Sequence, residues 1–460
     1  MNTIWKAGPL VAAMVGVSLG AAAQQQAQGQ PAQQRVAQVM APPPAPAQPR
    51  RKVSVKEAMR LAATQGPDVA AARAQAAVVR AGVEKAWTTW QPDLSASGTF
   101  DHTSAPSSIP AGSLGPGSPE VVIVAANSHF GSLQISQPLL TPQGLFLPGI
   151  ANAAAEAAAH GADDTRERIL LAVASAYFNL QAQDGLLTAA RDAEQVALRR
   201  EQDAKAQIAA GTAVELALLR AQTETAAARV QIANIQGNVQ SFLPLLEALT
   251  GEPIEPLPIS AQPVIPDLPT DETEPWENSY AVKSAASAVV AAQRTTRLDR
   301  FAWLPSVAAA ARGQYNSNGG FAGTNTSYDL LVNINIPLYD RGERYAQLHE
   351  DQARLAQAQA LLASARARSK ATWDAARGNL SSAQVALQQA TTQAELAGKT
   401  QQQVDASYRA GVATTLDLSD ADQRKFLAQS SASLARSEVE VRKAELAVAA
   451  GALYRIALQE

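Results

Sequence analysis

Residues Ala210-Gly211-Thr212-Ala213 recur as Ala410-Gly411-Val412-Ala413, and 411 − 211 = 200. Thr250-Gly251 meets Ala450-Gly451 at the same interval. An alternating stretch ending in proline also occurs twice, Leu133-Gln-Ile-Ser-Gln-Pro138 and Val332-Asn-Ile-Asn-Ile-Pro337, with 332 − 133 = 199. Each Gly turn lies between long Ala/Leu-rich stretches. A chain written twice in long helices and short strands must build one unit from two similar halves, which excludes most single-copy folds.

Those helices have little material for a thick core. Of 460 residues, 5% are aromatic and 17% charged, and Ala and Gln abound. Alanine at seam positions instead lets helices approach closely in thin-walled coils. A net charge of −3 provides no basic stripe to neutralise phosphates, so nucleic acid is not an expected partner. Cysteine is absent, which removes disulfides, thiol catalysis, thiolate metal sites and lipidation on an N-terminal cysteine.

Lys6, the apolar run from Leu10 to Leu19 and the small residues Ala21-Ala22-Ala23 predict a secretory signal over 1–23. That run falls short of the ~20 residues a spanning helix needs. The Gln/Ala/Pro-rich stretch 24–50 predicts a flexible leader. No later stretch of about 18 uninterrupted apolar residues occurs, so a mature chain that crosses a membrane must do so with strands.

The body divides into repeats at 51–250 and 271–460, joined by a Pro-rich linker over 251–270. Val53 to Gln91 reads as helix, with Ser54 and Glu57 in capping-box spacing and Pro67 dividing a short helix from a longer one. Period-two alternation follows: Leu94, Ala96, Gly98 and Phe100 against Ser95, Ser97, Thr99 and Asp101. After a Gly/Pro/Ser loop, a second strand near Phe130 to Gln137 completes a hairpin over 94–137. A matching hairpin spans 306–337, so each has one apolar and one polar face. A half-buried sheet in a soluble domain and a barrel with lipid outside and water inside both produce this alternation. Four strands are too few to close alone, so a barrel requires several chains. Trp87, Trp90, Phe100, Phe130, Phe301, Trp303 and Tyr339 are expected where strands meet helices, as an interfacial belt.

Asn152 to Ala209 lacks proline and predicts on the order of 85 Å of helix, longer than a compact domain of this size. Past Gly211, the residues Val214, Leu218, Ala221, Thr225, Ala228, Ile232, Ile235, Val239, Phe242, Leu246 and Leu249 form a heptad seam. In the second copy Leu427, Leu434, Val441 and Val448 recur every seven residues. Antiparallel coiled-coil pairs hinged at Gly211 and Gly411 are the expectation.

Taken together, these features resemble the TolC-like outer-membrane efflux proteins of Gram-negative bacteria. The segment Tyr408-Arg-Ala-Gly411-Val-Ala-Thr-Thr-Leu-Asp417-Leu-Ser-Asp420-Ala421 is similar to that family's periplasmic tip, and Val55, Ala58, Ala62 and Pro67 resemble its amino-terminal helix signature. The resemblance implies a mainly α fold with a transmembrane β-barrel: a homotrimer whose 3 × 4 = 12 strands form one barrel in outer-membrane lipid, continuous with a periplasmic α-helical tunnel. It implies no enzyme and no cofactor, but a passive exit duct of a tripartite efflux or type I secretion system. The partners implied are a periplasmic adaptor (membrane-fusion) protein and an inner-membrane pump. The other reading is a periplasmic or surface coiled-coil scaffold that forms no channel.

The gate implied by the resemblance is Asp417, Asp420 and Tyr408. The two aspartates, spaced i, i+3, share one helix face, and three copies would set 3 × 2 = 6 carboxylates around a mouth. Aspartate in a first helical turn also caps free amides, which by itself would explain one of the two. The first-copy counterpart of Asp417 is Ala217, without the acid of the family pattern, and Glu215 lies nearby without matching. The adaptor-docking tips are Ala210, Gly211, Thr212 and Ala213 in one copy and Ala410, Gly411, Val412 and Ala413 in the other. His102, His129, His160 and His349 lie far apart with no ligand partner at i+3 or i+4, so no metal site is expected.

Overall fold

The computed structural model of the protein describes residues 50–113, 115–212, 214–257, 265, 273–318 and 324–458. The predicted signal over 1–23, the leader as far as residue 49 and most of the linker lie outside these residues.

A short strand β1 (Arg51–Val53) leads into helix α1 (Val55–Gln65), where the Ser54 hydroxyl accepts from the Glu57 amide at 3.2 Å. Gly66 separates α1 from α2 (Pro67–Trp87), with Pro67 at the first helical turn, where its missing N–H costs nothing. Strands β2 (Asp93–His102), β3 (Ser107–Ile109), β4 (Val121–Val124) and β5 (Asn127–Leu140) follow, then the long helices α3 (Pro142–Ala209) and α4 (Glu215–Thr250). Strand β6 (Ile254–Pro256) ends the first copy. The second consists of α5 (Tyr280–Arg300), β7 (Ser306–Asn316), β8 (Thr326–Asn335), α6 (Glu343–Arg409), α7 (Thr415–Ala449) and the terminal α8 (Leu453–Leu458). The two copies match in scale: α2 and α5 have 21 residues each, α3 and α6 have 68 and 67, and α4 and α7 have 36 and 35.

Several expectations need correction. The stretch expected to be only a Gly/Pro/Ser loop also pairs β3 with β4. Strand β5 runs through Pro138 to Leu140, and the ladder slips there because proline brings no amide. Helix α3 starts ten residues before Asn152 and carries Pro148 in its second turn, making it about 100 Å long at 1.5 Å per residue. The parallel pairing of β1 with β6 joins positions about 200 residues apart in two three-residue strands, too short to show as alternation.

The long helices α3 and α6 run the length of a one-layer wall. Helices α2 and α5 flank α3 near the sheet, α4 and α7 flank it further along, and α6 lies beside α5 and then α7. Thin packing follows from small residues: Ala190, Ala197 and Ala204 of α3 and Ala421 and Ala428 of α7 are buried at seven-residue spacing. The α4 seam holds from Leu218 to Leu249, but Val214 is the exposed N-cap. In α7 Val441 and Val448 of the expected stripe pack against the core, but Leu427 and Leu434 do not face the coil. Leu427 is 54% and Leu434 46% exposed, because alanine permits closer approach and takes the seam.

One thicker core interrupts the wall midway, where α1, α3, α4, α7 and α8 meet around Met59, Leu170, Tyr177, Leu246 and Leu453. The Tyr177 hydroxyl donates to the Val53 carbonyl at 3.0 Å and accepts from the Leu257 amide at 3.1 Å, tying it to the β1–β6 pair. Buried Glu167 accepts from the Leu453 and Tyr454 amides, both at 3.1 Å, fixing the start of α8.

Strands β2-β5-β7-β8, in that order, form an antiparallel sheet. The register places Ser97, Thr99, Gln134, Arg312, Gln314 and Asn333 on one face and Leu94, Leu133, Val307 and Ile334 on the other, as the alternation predicts. Across the polar face, Arg312 donates to Gln134 at 2.9 and 3.0 Å and Ser97 meets Ser132 at 2.8 Å. The apolar face also carries Phe100, Tyr315 and Tyr328 toward its far end. Trp90, Phe301 and Trp303 sit at the helix end, where the Trp90 indole donates to the Gly144 carbonyl and Trp303 packs on Tyr345. The seven aromatics therefore do not form one belt: Phe100 and Phe130 lie at the opposite end of the strands, and Phe130 shares the polar face with Thr99.

Candidate functional site

Helix α3 ends at its C-cap Ala210, and Gly211 follows with φ 72°. Its amide donates to the Ile208 carbonyl at 2.9 Å, and the Thr212 amide reaches the Gln207 carbonyl at 2.9 Å. The second copy repeats the motif. Ala410 caps α6, Gly411 has φ 76°, its amide donates to Tyr408 at 2.9 Å, and the Val412 amide donates to Ser407 at 2.9 Å. This six-to-one closure with a left-handed residue needs glycine. A Cβ at either glycine would meet nothing within 4 Å, so the turns are bare of neighbouring atoms. Ala413 donates to Ser407 at 3.2 Å, whereas Ala213 lies outside the described residues. Val412 and Leu416 are 82% and 76% exposed, so this tip offers apolar surface to water.

After the turns the copies diverge. Thr414 accepts from the Asp417 amide at 3.2 Å, and Asp417 Oδ2 accepts from the Thr414 amide at 2.9 Å and hydroxyl at 2.6 Å. This capping box holds the Asp417 carboxyl below its ordinary pKa, chiefly through the Thr414 hydroxyl. Asp420 pairs with Arg424 one turn on, at 2.9 Å, with both side chains exposed. In the first copy the N-cap is Val214, which gives no side-chain bond, and Ala217 stands in the place of Asp417. Tyr408 is half-buried beside a groove of about 480 Å³ between α3, α4, α6 and α7, with Arg200, Gln207, Leu216, Leu416 and Leu418 among its walls.

A polar knot in the wall of this groove gave no motif in the sequence. Arg200 of α3 contacts Glu224 of α4 at 3.2 Å and pairs with Asp422 of α7, and it donates to the Leu418 carbonyl at 3.4 Å. Ser419 donates to Glu224 at 2.7 Å. One guanidinium, largely buried, thus ties three helices. Half of this was legible: residues about equidistant from an antiparallel turn face each other, and Arg200 and Glu224 lie 11 and 13 residues either side of Gly211. Asp422 comes from the other copy and left no such signal.

No helix among the described residues is long and apolar enough to cross a membrane, and no group of His, Cys, Asp and Glu among them could hold a metal ion. The family model described as outer membrane efflux protein matches residues 58–252 and 275–452. No curated protein sequence matches the chain significantly. Among solved structures, CusC, described with transmembrane channel formation, is 18% identical with a TM-score of 0.73, covering 88% of this chain and 94% of its own. VceC of Vibrio cholerae is 17% identical with a TM-score of 0.70, over 87% and 96%. The open state of the Neisseria gonorrhoeae outer membrane channel MtrE is 19% identical with a TM-score of 0.71, over 89% and 94%. These likenesses establish the fold.

Proposed function

The chain belongs to the outer membrane efflux protein family, and from that premise we propose that three copies form a passive exit duct across the outer membrane. A periplasmic adaptor would dock at the Gly211 and Gly411 turns and connect the duct to an inner-membrane transporter. The observation that carries this reading is the four-stranded sheet. Its strands are 10, 14, 11 and 10 residues long, as membrane spanning requires, with lipid-compatible residues on one face and polar ones on the other. Its outer strands β2 and β8 each leave a ten-residue edge unpaired among the described residues. Bare backbone edges are excluded from hydrocarbon. Joining β8 of one copy to β2 of the next removes every edge, and 3 × 4 = 12 strands close a barrel over the helical wall. A scaffold that forms no channel leaves these edges and the exposed Leu94, Leu330, Val332 and Ile334 without a purpose.

At the tip, Asp417 and Asp420 act as a cation-concentrating ring and Tyr408 steadies the closed mouth. The capping box does not remove this role, because it leaves Asp417 ionised and its negative charge at the turn. The test is reconstitution into planar bilayers together with co-purification from cells. Discrete aqueous conductance and recovery of an adaptor and a pump support the duct. Protein that yields no conductance and comes down without either partner contradicts it.

A further inference from the structure

Just below the second hairpin, the Thr296 hydroxyl near the end of α5 donates to the Asp351 carbonyl near the start of α6 at 3.4 Å, and Asp299, one turn on from Thr296, lies on the same face toward Asp351. Asp351 is 3% exposed, and both its oxygens are engaged: Oδ2 accepts from Gln347 and Oδ1 from Arg354, each at 2.9 Å. Asp299 Oδ2 is buried, and no N–H donor among the described residues reaches it. Two carboxylates are both acceptors and repel each other, so this approach is favourable only with a proton between them. The donors on Asp351 keep it ionised, which leaves the proton on Asp299. We propose that Asp299 and Asp351 form a proton-sharing clasp that fastens α5 to α6 beneath the second hairpin and releases as the medium passes from mildly acidic to neutral.

The surroundings match this assignment. The α3 stretch alongside, residues 142–150, contains no titratable side chain. On α6 the charged neighbours are Arg354, shared with Glu350, and exposed His349. On α5, Arg294 donates to the Gly149 carbonyl, and Arg297 and Arg300 are exposed. Arg354 offsets one negative charge but not two. Burial, then the hydrogen bond and the charge of Asp351, push the Asp299 carboxyl up to about 6. Burial also pushes Asp351 up, but bonds from Gln347, Asp299 and Arg354 outweigh it and hold it below its ordinary value. An unfolded aspartate titrates near ~4. Unfolding therefore releases a proton between about 4 and about 6, and the hold of the clasp falls as pH rises through that window.

Asp299→Asn tests this in the full-length protein in detergent, because an amide of the same shape donates to Asp351 at every pH. Amide exchange is followed in peptides covering the end of α5 and the start of α6, with wild type and variant compared at equal pH. At pH 5 the two should protect alike. At pH 7.5 the wild type should exchange faster, by about 10-fold, because one of the two pH units of separation lies above pH 5, while the variant stays protected. Equal behaviour at both values, or a variant less protected at pH 7.5, overturns the clasp. Infrared spectra supply a second readout that does not depend on this variant folding. Glu167 is also pushed up, to about 7, chiefly by burial, so Glu167→Gln serves as the background. A carboxylic-acid carbonyl band present at pH 5 and lost by pH 7.5 supports the shared proton, and its absence at pH 5 overturns it.

Discussion

Arg200 carries more of the tip than any sequence motif indicated. Removing it leaves Glu224 and Asp422 facing each other across α4 and α7, where side chains are only 31% and 20% exposed. Partial exposure discounts the cost of a fully buried broken pair, so Arg200→Ala should destabilise the tip by about 1–2 kcal/mol. Hydrogen exchange in the first turns of α4 and α7 should accelerate, and Arg200→Ala with Asp422→Ala should recover part of the protection. Unchanged exchange in the single variant would mean that the knot is ornamental. The aspartates make a separate prediction. Asp417→Asn with Asp420→Asn should weaken cation preference and block by multivalent cations in single-channel recordings at low salt, an effect that fades near 1 M, where the Debye length is ~3 Å. Wild-type selectivity in the double variant would reduce Asp417 to its capping box and Asp420 to its pair with Arg424.

Among the elements, the turns and the strands make opposite demands. Gly411→Ala places a Cβ in open space but at φ 76°, so its cost is the backbone term alone, about 1–2 kcal/mol. Gly211 and Gly411 variants with bulky side chains should still assemble yet lose export, read as drug or substrate accumulation in cells. Normal export from both would remove the docking role. In the sheet, Ile334→Arg should cost ~2–4 kcal/mol if that site lies near mid-bilayer, and Asn333→Arg much less, measured by folding into lipid vesicles. Much of this was readable in advance, because heptads, Gly turns and two-residue alternation are local patterns. The α7 seam holds at Val441 and Val448 but shifts nearer the turn for a physical reason: hydrophobicity marks Leu427 and Leu434, but close approach in a thin wall selects Ala421 and Ala428. The β1–β6 pair, the Asp422 side of the Arg200 knot and the Asp299–Asp351 contact were invisible because each joins residues remote in sequence through one or a few contacts.

For the whole molecule, the central claim is closure, since one chain provides one wall and four strands with two bare edges. The cysteine-free sequence makes this directly measurable. Cysteines introduced in a scan along the polar face, Ser97→Cys on β2 with Ser327→Cys on β8 among the pairs, can cross-link only where β8 of one copy meets β2 of another. Oxidised outer-membrane protein run without reductant should converge on a covalent trimer with no larger species, because three joined copies leave no free edge. Monomers throughout the scan, or an open ladder beyond three, would contradict a closed twelve-stranded barrel and the duct built on it.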